Sequence, residues 1–355
     1  MDPALNQLTD RVRAAAAQGH ALRLRGGGTK DFYGQSLQGE VLDTRALSGI
    51  LSYEPSELVV TVRAGTPLAE LEAALAECGQ MLPFEPPHFG AGATVGGMVA
   101  SGLAGPARGA VGSVRDYILG VEMLNGQAEL LTFGGQVMKN VAGYDVSRLM
   151  AGSLGTLGVL VNVSIKVLPK AVAESTLVFE MDEAQALSQL NRWGAQPLPI
   201  NASCWHDGAL HVRLRGAQAA VAAAYRTMGG RLTDQAGSAF WQALREQTAP
   251  FFALAPGESL VRLSLPDTTP PVQQGATLIE WGGAQRWLKL PQTALTSVRA
   301  SLASRGGHVS VFRSDDKSAA RLAPLSPAMA RIHRELKKQF DPAGIFNPGR
   351  LYPDF

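Results

Sequence analysis

The residues of this chain whose type and spacing could do chemistry are glycines. Three clusters stand out: Arg25-Gly26-Gly27-Gly28-Thr29, the run from Gly90 through Gly97 to Gly109, and Gly152-Ser153-Leu154-Gly155-Thr156-Leu157-Gly158. Of 39 glycines, 25 fall in residues 1–170 and 14 in 171–355. Consecutive glycines let successive main-chain N–H groups converge on an anion, and no side chain blocks the approach of a pyrophosphate. Any one cluster alone could be a plain turn. Three in one half, each beside a strand-like run, point to a large phosphate-bearing cofactor. Thr94-Val95-Gly96-Gly97 is expected to offer amides from the side opposite the first loop, with Val95 in apolar contact with a ring. The third cluster would let a flat ring system lie against main chain, ahead of the strand that starts at Val159.

Other cofactor and catalytic signatures are missing. The nearest approach to a dinucleotide fingerprint is Gly90-Ala91-Gly92-Ala93-Thr94-Val95-Gly96, which is one residue too long. It follows Pro83, Pro86 and Pro87 rather than a strand, so a Rossmann site is disfavoured. No Gly-Lys-Ser/Thr occurs, and no serine-hydrolase elbow. Cys78 and Cys204 are the only cysteines. Two thiols cannot make a disulfide scaffold or hold an iron–sulfur cluster, and they fit a reducing compartment. His206 and His211 flank a turn and read as surface residues, not as a metal motif. Lys plus Arg is 32 against 30 for Asp plus Glu, without a basic cluster, which argues against a nucleic-acid binder. No apolar run is long enough to span a membrane, and the start of the chain does not read as a signal peptide. The cytoplasm is the expected location.

The elements that must position the glycines can be read from periodicity. Ala21 to Arg25 is a short strand feeding the first loop. Leu58 to Val62 is a β-branched strand. Leu68, Leu71, Ala74 and Leu75 recur at helical spacing, and Gly79 ends that helix. Tyr117–Leu124 and Ala128–Phe133 pair around Asn125-Gly126. Beyond Pro169 the pattern changes. Strand-like runs alternate with the helical segments Glu183–Arg192, Ala217–Met228 and Leu295–Ser304, and Asp207-Gly208 marks a hairpin. This suggests an antiparallel sheet with helices on one side. Near the end, Ile332, Leu336 and Phe340 form an i, i+4, i+8 stripe expected to be buried.

The motifs together resemble the flavoprotein family with the vanillyl-alcohol-oxidase or PCMH-type FAD domain. The pyrophosphate loop matches Arg25 to Thr29. The second signature resembles Glu85-Pro86-Pro87 through Ala93-Thr94-Val95-Gly96-Gly97. The third is similar to Asn140-Val141-Ala142-Gly143-Tyr144-Asp145 followed by Leu149 and the Gly152–Gly158 cluster. The tail Ile345-Phe346-Asn347-Pro348-Gly349-Arg350 matches a segment that returns to the flavin in this family. Within it, the length, the Tyr-Asp segment and the short cap look most like the FAD-binding subunits of glycolate oxidase (dehydrogenase). The resemblance implies an α+β fold: a two-part PCMH-type FAD-binding domain over 1–170, a small α+β cap with an antiparallel sheet over 171–325, and a segment over 326–355 returning to the FAD domain. It implies that FAD is held by Arg25, Gly26, Gly27, Gly28, Thr29, Pro87, Gly90, Ala93, Thr94, Val95, Gly96, Gly97, Asp116, Gly152, Ser153, Gly155, Thr156, Gly158, Val159 and Asn347. Asp116 could instead cap the strand after it. His88 could sit near the ring.

The chain departs from its family in ways that bear on chemistry. Thr29 ends the pyrophosphate loop where covalent members carry a linking residue, and neither cysteine lies in a linking motif, so FAD is expected to be non-covalent. The His-rich metal motif of the catalytic 2-hydroxy-acid branch is missing from the cap, and Leu154 stands where catalytic relatives often place Glu. Two functions follow as expectations. One is flavin-dependent oxidation of glycolate or a similar 2-hydroxy acid to the oxo acid, with Arg313 as candidate clamp for the substrate carboxylate. The other is a non-catalytic or electron-relay FAD subunit whose paralogous partner oxidises the substrate. A reductase of the same fold using NADPH fits the tail and cap less well. The implied partners are a larger FAD subunit and an iron–sulfur subunit, with any membrane association peripheral through them.

Overall fold

Local signals build the first helix, Pro3–Gln18. The Asp2 carboxylate accepts from Ala4 N at 2.9 Å, Pro3 opens the helix, and Gly19 ends it in the left-handed region. Leu8, Val12 and Ala15 recur on one face and are buried. The computed structural model describes residues 2–135, 145–272, 275–302, 305–316 and 320–353. The Asn140–Tyr144 part of the third signature lies outside them.

The chain divides into two units: residues 1–103, 113–169 and 324–355, and residues 104–112 and 170–323. In the first unit a five-stranded antiparallel sheet runs in the order Ile50–Glu54, Val59–Arg63, Val159–Lys166, Ile118–Leu124, Leu130–Gly134. Leu22–Arg25 pairs in parallel with Glu40–Asp43, and Leu22 also bridges Phe346 from the tail. One core joins these pieces: Leu8, Val12, Leu22, Leu42, Val159, Val161, Ile345 and Phe346 pack together. The helix Leu68–Glu77 buries Leu68, Leu71 and Leu75, as its spacing predicts.

The second unit is built on an eight-stranded antiparallel sheet, ordered Arg231–Leu232, Ala173–Glu180, Ala209–Gly216, Ile200–His206, Thr277–Glu280, Gln285–Pro291, Glu258–Ser264, His308–Arg313. The turn between Ile200–His206 and Ala209–Gly216 has Asp207 and Gly208 both at positive φ, 49° and 76°, the conformation a two-residue hairpin favours. Two cores lie on this sheet. One holds Leu190, Trp193, Leu210, Val212 and Val221; the other holds Val261, Leu288, Val298, Leu302 and Val311.

Three expectations need correction. Residues 104–112 belong to the second unit although 1–170 reads as one block. Trp281 Nε1 donates to Gly105 O at 3.1 Å, and the Arg108 guanidinium lies 4.6 Å from the Trp281 ring centroid. His206 and His211 are packed, not surface-solvated. His206 meets the Phe251 ring edge-on, and His211 stacks on Phe240 at 4.0 Å. Lastly, Ile332 of the terminal stripe is 50% exposed, whereas its neighbour Lys337 is buried. The helix Pro327–Phe340 therefore packs through a face that apolar periodicity does not reveal.

Candidate functional site

The strand Leu22–Arg25 delivers the first glycine loop. Thr44 N donates to Arg25 O at 3.0 Å, and the chain leaves the parallel ladder at Gly26. Among the described residues, no acceptor takes the N–H groups of Gly26, Gly27, Gly28 or Thr29. Gly28 is left-handed, φ +73°, which suits an amide nest. Asp31 steadies the loop: Arg23 Nη2 and Arg25 Nε donate to its carboxylate, the latter at 3.1 Å, and its N–H donates to Gly28 O.

The second cluster abuts this loop. A Cβ at Gly27 would fall 1.4 Å from Gly92 O, and one at Gly26 would fall 2.3 Å from Thr94 Oγ1. The glycines at 26 and 27 are thus required by a neighbouring loop before any cofactor arrives. Thr94-Val95-Gly96-Gly97 does not form a second nest. These residues open the short helix Val95–Ser101, and their amides are occupied: Val95 N donates to Thr66 O, Gly96 N to Ala64 O at 2.6 Å, and Gly97 N to Thr94 Oγ1 at 3.2 Å. Val95 is fully buried in the core, which removes it from contact with a ring.

Two adjoining clefts collect much of the expected set. One is lined by the Arg25–Thr29 loop with Thr94, Gly97, Leu154, Asn347 and Arg350. The other is lined by Gly26, Gly96, Gly97, Ser153, Gly155, Gly158, Val159 and Asn347. Pro87, Gly90, Ala93, Val95, Gly152 and Thr156 line neither. Nor does Asp116, which accepts from Ser113 N at 2.8 Å and Ser113 Oγ at 2.9 Å and closes a capping box. Burial pushes its carboxyl up, but the Ser113 hydrogen bonds and nearby arginines outweigh that and hold it below the usual range. His88 lines neither cleft; its ring pairs with Glu72 at 3.0 Å, and its carbonyl accepts from Lys30, a cleft residue, at 3.2 Å. Arg313 is in the second unit, where its guanidinium donates to Gln247 at 3.0 Å and burial depresses its pKa.

The tail is stitched into the cleft walls. Asn347 N donates to Leu22 O, Asn347 Oδ1 accepts from Leu24 N at 2.8 Å, and Asn347 Nδ2 donates to Leu154 O at 2.6 Å. Its side chain thus braces main chain on both sides of the cleft. Leu154, between Gly152 and Gly155, is left-handed at φ +50°, a strained setting for a branched side chain. Its N–H donates to Ala100 O, and the Asn347 bond holds its carbonyl. Arg350 donates to the carbonyls of Lys30, Asp31 and Gln35. Of these residues the tail motif points only to Asn347 in the sequence; Arg350, Lys337 and Asp341 become visible in the fold. The identity of the motif's last cation was the available signal for Arg350.

This chemistry fits a pyrophosphate-bearing flavin. Four amides without acceptors among the described residues are open to an anion, and Gly26, Gly96, Gly97, Gly155 and Gly158 line the clefts without a side chain that would block a flat ring. Among the residues lining the clefts there is no histidine, cysteine or glutamate; the one carboxylate is Asp31. Among the described residues, no cluster of three or more His, Cys, Asp or Glu could hold a metal ion, and no helix is long and apolar enough to cross a membrane.

Comparison with known proteins agrees with the geometry. Residues 5–134 match a family model described as an FAD binding domain. The chain is 48% identical over 349 residues to glycolate oxidase subunit GlcE of Escherichia coli (strain K12), covering 98% of this chain and 97% of that protein. It is 30% identical over 151 residues to glycolate oxidase subunit GlcD of Bacillus subtilis (strain 168), covering 42% of this chain and 32% of that one. Among solved structures it resembles alkyldihydroxyacetonephosphate synthase in fold, with a TM-score of 0.65 at 14% identity, covering 97% of this chain and 74% of the other.

Proposed function

Because this chain belongs to the family of glycolate oxidase GlcE subunits, we propose that it is the FAD-binding subunit of a glycolate (2-hydroxy acid) dehydrogenase complex that oxidises glycolate to glyoxylate. The observation that carries the reading is similarity to a glycolate oxidase subunit along almost the whole chain. The glycine clefts support the cofactor half of it. Bound FAD supplies the two-electron, hydride-accepting chemistry. The chain's own residues do the rest. The N–H groups of Gly26 to Thr29 hold the pyrophosphate. Glycine main chain at 96, 97, 155 and 158 accommodates the ring. The binding is non-covalent, since neither cleft offers an imidazole or thiolate. Arg313, oriented by Gln247, is the candidate clamp for the substrate carboxylate.

A second reading has an observation in its favour. The carboxylate lining the cleft, Asp31, is taken by Arg23 and Arg25, so among the described residues lining the clefts no base is free to receive the substrate hydroxyl proton. That favours a subunit that relays electrons or stabilises the complex while a larger, paralogous FAD subunit oxidises the substrate and an iron–sulfur subunit carries electrons onward. The complex would work in the cytoplasm, or peripherally at the inner membrane face through those partners. Anaerobic titration of the purified chain with glycolate separates the readings. Flavin bleaching by the chain alone supports direct oxidation, and bleaching only after co-expression with the partners supports relay. No bleaching in either case would refute the proposed substrate.

A further inference from the structure

The terminal helix Pro327–Phe340 leaves Ile332 half exposed and buries Lys337 at 9% exposure. Burying an ammonium is costly unless its hydrogens are all matched. Here they are matched. Lys337 Nζ donates to Asp341 Oδ2 at 2.6 Å, to Thr156 O at 2.7 Å and to Phe346 O at 2.7 Å. Asp341 in turn accepts from Ile345 N at 3.1 Å and Phe346 N at 2.8 Å. An ammonium has three hydrogens, so this set saturates it.

The two carbonyls that Lys337 joins belong to the segments that form the cleft. Thr156 follows Gly155, which lines the cleft; Phe346 precedes Asn347, which lines both. Asn347 then reaches Leu24 N and Leu154 O. The separation between the Gly152–Gly158 loop and the tail is therefore fixed at two points, Lys337 and Asn347, and only the second faces the cleft. Asn347 packs close to Gly155: a Cβ there would lie 2.8 Å from Asn347 Nδ2, so only glycine leaves room for this spacing of tail and loop.

We propose that Lys337, braced by Asp341, is a positioning residue for the flavin. It sets the spacing between the Gly152–Gly158 loop and the tail, and through that spacing FAD affinity and the environment of the bound ring. The inference rests on the FAD-binding reading and adds to it a residue that does not line the cleft.

The test uses the full chain stripped of FAD and titrated with it. The readouts are the dissociation constant and the visible circular dichroism of the bound flavin. All five tryptophans, at 193, 205, 241, 281 and 287, lie in the second unit, so their fluorescence reports the folding of that unit separately. Lys337→Met is expected to raise the FAD Kd at least tenfold and alter the visible band, with tryptophan fluorescence unchanged. Lys337→Arg should recover part of both effects. If Lys337→Met lowers the urea midpoint but leaves Kd within twofold of wild type and the band unaltered, the residue is structural only and the proposal fails. Should Lys337→Met not fold, Asp341→Asn decides, because it preserves the shape of the pair: a fivefold rise in Kd supports the proposal and a Kd within twofold of wild type overturns it. A wild-type chain that takes up no FAD would instead refute the cofactor reading.

Discussion

Glu280 provides the sharpest test of the second unit's energetics. It ends the strand Thr277–Glu280, paired on one side with Cys204 and on the other with Gln285. Only 5% of it is exposed. Its Oε2 accepts from Trp287 Nε1 at 2.6 Å and Gln285 Nε2 at 3.0 Å, and among the described residues no cation forms an ion pair with it. Burial pushes its carboxyl from 4.5 to about 7, against the pull of those two hydrogen bonds. At about 1.4 kcal/mol per pH unit, the rise is worth about 3 kcal/mol. The sign follows from proton binding. Between pH 4.5 and 7 the folded state keeps a proton that the unfolded state has released, so stability falls as pH rises. The contribution is complete below about pH 4.5 and is lost as pH passes through about 7. Glu280→Gln removes the titration and keeps an oxygen for Trp287. Urea unfolding followed by tryptophan fluorescence should show the variant gaining about 3 kcal/mol relative to wild type between pH 4.5 and pH 8. Parallel stability profiles for the two proteins across that range would refute the reasoning, because they would mean that Glu280 titrates alike in both states.

Gly155→Ala should lower flavin content on purification and destabilise the chain by about 1–2 kcal/mol, since φ is +71° there and a Cβ meets the Asn347 amide; wild-type FAD occupancy would contradict this. Acid precipitation should release all the flavin into a yellow supernatant, and a yellow pellet would reveal a covalent link. Ending the chain at Asp341 removes Asn347 and Arg350, so bound FAD should fall sharply while tryptophan fluorescence of the second unit stays native. Unchanged flavin content in that truncation would show that the tail does not brace the cleft.

What could be read in the sequence follows the range of the interactions. The Asp207-Gly208 hairpin was legible because both residues accept positive φ within two positions of chain. The Leu68–Glu77 helix was legible because its buried leucines repeat locally. The triple glycine was legible as a loop for the same reason, since its glycines and the left-handed Gly28 lie within a few positions of chain. The Val95 and Gly96 amides were not legible as occupied because their acceptors, Thr66 O and Ala64 O, lie about thirty residues back and leave no mark on local spacing, whereas the Gly97 amide is taken locally by the capping Thr94 hydroxyl. The place of the Ala104–Gly112 segment in the second unit was not legible, because its partner Trp281 lies far along the chain, well beyond any local pattern.

Lys337 shows the deeper reason. A lysine beside an apolar stripe reads as solvated, because burial normally selects the apolar neighbours. The preference reverses when a site needs a fixed distance between two backbone segments. Apolar contact is non-directional and tolerates sliding, whereas three charge-assisted hydrogen bonds to Thr156, Phe346 and Asp341 fix one geometry. A glycine-lined cleft has few side chains of its own to hold its walls apart, so its dimensions must be set from behind. The exposed Ile332 and the buried Lys337 on one helix are two consequences of that requirement. The same reasoning assigns Asn347 and Arg350 their bracing roles: each ties main chain to main chain at the rim of a site whose own lining is too small to do so.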